Sequence, residues 1–197
     1  MPTTVAVLGF VAADRLTAFS WLAEDAAHAP DVVTRESLSR LAAGQLAGDV
    51  SALLAELGAD PATATVPHLR LLEEMGARTT PSDWWERLMR SVVVGGMVRD
   101  LETVLLDQVA AVHRARAATV PDPVEPMADL LAPAIGGDER LRARLALWGR
   151  RVAGEALGLV HPAMSSLGED GAGLVAPALS AMSGGHARRM DRLRLTA

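Results

Sequence analysis

The chain has 197 residues, half of them hydrophobic and 22% charged, with a formal net charge of −5. That size fits one domain with a substantial core, and the acidic balance argues against tight nonspecific nucleic-acid binding, which needs a basic face. Cysteine is absent, which excludes disulfides, thiol catalysis and thiolate metal sites and fits a reducing, cytoplasmic setting.

Alanine, leucine and arginine dominate and β-branched runs are scarce, so an all-α single domain over 1–197 is expected. The start, Met1-Pro2-Thr3-Thr4, places no positive charge before the apolar stretch, so no signal peptide is expected. Asp14 and Arg15 interrupt that stretch, and no run of about 18 uninterrupted apolar residues predicts a membrane span.

Helical periodicity predicts elements at roughly 5–28, 32–57, 66–76, 82–106, 108–119, 127–136, 138–161 and 172–193. The first carries Leu8, Ala12, Leu16, Phe19, Ala23 and Ala26 on one face and ends at Pro30. The second carries Leu38, Leu41, Leu46, Leu53, Leu54 and Leu57 and stops at Gly58. Thr80-Pro81-Ser82-Asp83 starts the fourth, with Pro81 or Ser82 at the cap and Trp84 and Trp85 as anchors. Three prolines in Val120-Pro121-Asp122-Pro123-Val124-Glu125-Pro126 split what would otherwise be one helix from 108 to 136, or bulge it outward. Gly136-Gly137-Asp138 opens the next helix, which Pro162 closes; Gly168 to Gly173 reads as a loop, and Gly184-Gly185 as a break or kink in the last helix.

Several motifs in order carry a family resemblance: Leu22-Ala23-Glu24-Asp25-Ala26 with Ala29-Pro30, then Thr80-Pro81-Ser82-Asp83-Trp84. Arg144-Leu145-Ala146-Leu147-Trp148-Gly149-Arg150-Arg151 with Gly154-Glu155-Ala156-Leu157 follows, then a tail built on His186, Arg189-Met190 and Leu195. Nearly the whole chain resembles the actinobacterial ferritin-like fold proteins, which are similar to di-iron tRNA hydroxylases of the MiaE type. The resemblance implies a ferritin-like four-helix bundle with additional short helices. It also implies carboxylates on all four core helices and two Glu/Asp-x-x-His pairs, residues three apart sharing a helix face.

This chain departs from that pattern at each implied ligand position. Counting outward from a turn near residue 30 places residue 15 level with residue 45. The resemblance implies a glutamate at 15, where the chain has Arg15, and a Glu-x-x-His pair where it has Gln45 and Gly48. A second turn near 107 sets residue 95 against 120; an acid and a second pair are implied where Gly95, Val120 and Pro123 stand. Glu24 and Asp25 lie about two turns from the level of Gln45, and Asp100 and Asp49 face elsewhere. Among the five histidines only His28 follows an acid, Asp25, at that spacing, and the pair sits at an exposed helix end, where a solvated turn or cap is the plain alternative to a metal site.

Arg15 has two readings: a buried guanidinium supplying the positive charge of a lost metal, which then requires a carboxylate partner, or a surface residue beside Asp14. Gly95-Gly96 after Val92-Val93-Val94 implies close helix approach, space for a small apolar ligand, or relaxed packing. Arg140, Arg142, Arg144, Arg150 and Arg151 form a basic helix face, either solvated or turned to an acidic partner or RNA. Ser51, Ser165 and Ser166 lack the neighbours for nucleophilic catalysis.

The expectation is a non-catalytic, metal-free bundle acting as a scaffold or binding module without a cofactor, a homodimer with a further protein or small-molecule partner and no membrane partner. The alternatives are a di-iron oxidoreductase related to tRNA-modifying hydroxylases and a binder of small apolar ligands.

Overall fold

The computed structural model describes residues 2–117 and 120–196. Among them lie eleven α-helices: α1 (Pro2–Ala27), α2 (Val32–Gln45), α3 (Val50–Glu56), α4 (Pro61–Arg78), α5 (Trp84–Arg90), α6 (Gly96–Leu106), α7 (Ala111–Ala117), α8 (Val124–Gly137), α9 (Glu139–Leu157), α10 (Val160–Ser165) and α11 (Val175–Arg192). A π-turn, Ser91–Gly95, joins α5 to α6, and a 3₁₀ segment, Gly168–Leu174, precedes α11.

Asp31, Asp49, Asp60, Asp83 and Asp138 start α2, α3, α4, α5 and α9, each carboxylate accepting a backbone N–H of the first turn. Asp83 is therefore the cap that sequence reading assigned to Pro81 or Ser82. Ser82 instead donates its N–H and hydroxyl to the Glu86 carboxylate. Asp60 and Pro61 begin α4 five residues before the expected start; Pro67 lies inside that helix rather than in its first turn.

α1 is the central element, packing against α2, α3, α4, α5 and α6. Residues 7–15 are all buried, on every face, as expected of a helix enclosed by others. The single inner face read from the sequence was too narrow: Leu16 is 42% exposed, while Val7, Phe10 and Val11 are buried. By length and composition Thr3–Ala27 also passes for a membrane span, contrary to the expectation from uninterrupted runs; 61% of its most apolar window is buried inside the bundle. α6 packs between α1 and α11, while α9 contacts α4, α5, α6 and α11.

Five further expected elements differ. The helix expected over 32–57 breaks into α2 and α3, and Leu46, assigned to its inner face, is 48% exposed. The 108–136 stretch does split, but its proline segment folds back onto α2: a Cβ on Gly44 would stand 2.6 Å from Pro121 Cγ, so Gly44 leaves room for the proline ring. Residues 118 and 119 of the expected 108–119 helix lie outside the described residues. The helix expected over 138–161 ends at Leu157, and Pro162 falls in the first turn of α10 rather than closing α9. The expected loop at 168–173 is 3₁₀, and α11 runs unbroken through Gly184 and Gly185.

Gly96 and Gly185 explain the close contact of α6 with α11. A Cβ at Gly185 would stand 2.1 Å from Asp100 Oδ2, and one at Gly96 2.6 Å from Arg189 Nε. The space they leave holds an ion pair, Arg189 Nη2 to Asp100 Oδ2 at 2.7 Å. Of the readings open for Gly95-Gly96, close approach holds for Gly96; Gly95 has open space beside it.

Candidate functional site

Arg15 is buried, 3% exposed, and its partner comes from α6. Its Nη2 donates to Glu102 Oε1 at 2.5 Å and its Nη1 to Asp14 Oδ2 at 3.3 Å. The surface alternative for Arg15 is thereby excluded. Its Nε and Glu102 Oε2 are buried without a partner. Burial first, and the Asp14 carboxyl second, raise Glu102 from an ordinary 4.5 to about 8. At neutral pH Glu102 therefore holds its proton, and its hydroxyl can donate to the neighbouring Asp14.

Gln45 is fully buried and satisfied. Its amide donates to Pro121 O at 3.0 Å and to Leu41 O at 3.3 Å, and its Oε1 accepts from Arg99 Nη2 at 3.2 Å. Gly48 faces Val120, whose Cγ1 would lie 3.4 Å from a Cβ at residue 48. Arg15, Gln45 and Gly48 share a cleft of about 620 Å³ between α1, the α2–α3 break and α4. Gly95 and Pro123 line a separate small cavity of about 20 Å³, with Asp14, Thr17 and Arg99, room for about one water. Five of the six positions thus line two separate spaces, three in the cleft and two in the smaller cavity, while Val120 lines neither and packs against Gly48.

Glu102 and Arg99 escaped the sequence reading. Both stand on the face of Gly95, at i+7 and i+4, and a buried Arg15 demands a carboxylate; together these were the available signals. Asp49, taken to point away, caps α3 and lines the cleft because the helix breaks before it.

Asp25 is a second correction. It is fully buried rather than at an exposed end. Its carboxylate accepts from Arg87, Arg90 and Ser91, each at 3.4 Å, and the Arg90 guanidinium lies 4.4 Å from the Trp21 ring centroid. Burial raises its pKa against the pull of Arg90 and Arg87. His28 is exposed and its Nδ1–H donates to Glu24 O at 2.9 Å, so it does not join Asp25. The basic face of α9 is partly internal clamp: Arg144 bridges Asp83 at 2.6 Å and Glu86 at 3.0 Å. His186 is buried, which lowers its pKa, and its Nδ1 lacks a partner. Ser165 and Ser166 donate to backbone carbonyls one turn back.

An all-α bundle whose long helices project polar side chains inward is the architecture of ferritin-like proteins. The family model described as ferritin-like domain, actinomycetes, matches residues 2–166, and the chain belongs to that family. The match ends before α11. No curated relative matches the chain.

Members of this fold class are associated with di-iron centres, which need converging carboxylates and imidazoles. At this level the chain offers Asp14 and Glu102, with the guanidinium of Arg15 on both. No group of three or more His, Asp or Glu side chains gathers to hold a metal ion among the described residues. The donor set does not fit a di-iron centre.

Proposed function

We propose that this protein is a non-catalytic ferritin-like binding module that works without a metal. One observation carries this reading: the Arg15 guanidinium sits between Asp14 and Glu102, supplying from the chain itself the positive charge a metal ion would otherwise bring. A buried cation with two carboxyl partners is compensated, and it resists replacement because breaking the pair strands a charge.

The hydroxylase alternative needs oxygen-activating metal and finds neither paired histidines nor a free carboxylate set among the described residues. A binding role is favoured over a purely structural one by the cleft beside Arg15, whose volume of about 620 Å³ lies in the range of small-molecule sites.

Elemental analysis of protein purified without added metal tests the reading, together with anaerobic Fe(II) titration followed by oxygen exposure. The expected result is substoichiometric iron, no absorbance change and a thermal midpoint unmoved by EDTA. Near-stoichiometric iron with oxygen-dependent turnover would overturn it.

A further inference from the structure

We propose that the cleft between α1, α4 and the α2–α3 break binds a small amphipathic carboxylate, with its head at Arg15 and its aliphatic body along Leu16, Leu46, Val66 and Leu69. This rests on the metal-free reading above.

The walls come from two helix faces. Ala12, Arg15 and Leu16 follow the i, i+3, i+4 pattern on α1, and Ala62, Val66 and Leu69 the i, i+4, i+7 pattern on α4. Leu16, Leu46 and Val66 are 42%, 48% and 41% exposed and all line this one cleft. Apolar side chains left in water together mark a surface that gains by being covered. Leu46 is there because α2 ends at Gln45, and Gln45 ends α2 while bound to Pro121 and Arg99.

The polar end is equally specific. Every donor and acceptor of the Gln45 amide is engaged, so Gln45 is wall rather than ligand contact. Arg15 is the cationic residue lining the cleft, and its Nε–H has no acceptor in the protein. Arg15 is opposed by Asp14 and by a Glu102 that burial pushes toward its neutral form; Asp49, the acid on the cleft's lining, is exposed to water and its carboxylate already accepts the Ala52 N–H. An anionic head can accept from the unpartnered Arg15 Nε–H, which a cationic head cannot do.

The cleft also continues. A second groove of about 410 Å³ shares Leu16 and Leu69 with it and runs along α1 and α4 to Trp21, Glu73 and Gly76. Its far end carries Glu73, which repels a carboxylate. An exposed acid stands at each end, Asp49 and Glu73, so the Arg15 guanidinium decides the head's place and the chain runs toward Trp21.

Methyl-detected NMR titration of the full chain with decanoate, decanol and decyltrimethylammonium as probes tests this. Decanoate should saturate with shifts at Leu16, Leu46 and Val66, decanol should bind at least about tenfold more weakly, and the ammonium probe should not bind. Val66→Glu, at an exposed position, should keep the wild-type thermal midpoint and weaken decanoate by at least about tenfold. Equal binding of acid and alcohol, shifts elsewhere, or indifference to Val66→Glu would overturn the proposal. So would shifts of the same methyls on raising protein concentration without probe, which would give the cleft to a second copy. Iron uptake would overturn the metal-free reading and this proposal together. Iron-free protein that ignores decanoate overturns this proposal alone.

Discussion

Arg15 Nη2 and Glu102 Oε1 meet at 2.5 Å across 87 residues of sequence, tying α1 to α6 through two side chains that water hardly reaches. The contact is also a proton site, which makes it measurable.

Glu102 rises from 4.5 to about 8 on folding. Between those values the unfolded chain releases the proton and the folded chain keeps it, so stability is full below pH 4.5 and declines as pH rises to about 8. Glu102→Gln preserves the donor to Asp14 and the acceptor for Arg15 without a titrating proton. Urea unfolding at pH 5 and pH 8 should show a wild-type decline on the order of a few kcal/mol. The variant should show a distinctly smaller one, the remainder including Asp25, which is raised in the same sense. Equal slopes in the two proteins would contradict the assignment.

Asp25 compensates two arginines at once. Asp25→Ala should cost about 3–5 kcal/mol, because it leaves Arg90 buried without a carboxylate. Asp25→Leu combined with Arg90→Met should cost less than the sum of the single changes, as a double-mutant cycle by denaturant unfolding would register.

Gln45 holds the proline segment against α2. Gln45→Leu should lower stability by about 1–3 kcal/mol, since the Pro121 carbonyl and the Arg99 guanidinium lose their partner. Amide exchange should rise at Val124, whose N–H is bonded to Asp122, more than in α9.

Two glycines should respond oppositely to alanine. At Gly9 a Cβ would stand 2.2 Å from the Ala64 carbonyl oxygen on α4, so α1 and α4 must separate, at a cost of about 1–3 kcal/mol. At Gly154 on exposed helix surface nothing lies within 4 Å, and the change should gain about 0.5–1 kcal/mol. Thermal midpoints read both.

Local signals made much of this fold legible. Asp138 after two glycines and Pro30 after α1 mark boundaries by chemistry that acts within a few residues. The break after Gln45 was not legible, because the bonds that hold it come from Pro121 and Arg99, 76 and 54 residues away. Arg15 and Gln45, which counting from the turn near residue 30 sets level, line one cleft. The count did not find Glu102, because it was anchored on positions where the resemblance implied acids, and here the acid lies two turns further on. Asp25 was misplaced for a related reason: nearness to a chain turn was taken as exposure, while α5 covers that turn.

The π-turn at Ser91–Gly95 has a consequence for angular phase. On an unbroken α-helix, Arg90 and Glu102 would point about 120° apart. One extra residue in a π-turn takes back about 100°, so both come to bear on nearly the same side of the rod. On α1 their counterparts Asp25 and Asp14 are eleven residues apart, an offset of about 20°. Two straight stripes of charge can then engage along their length, one pair at each end. Deleting one of the three valines Val92–Val94 should close the π-turn to regular α-helix and keep both clusters, whereas inserting one further residue there should turn the two stripes about 100° out of phase and cost one of the two clusters while leaving helix content nearly unchanged by circular dichroism.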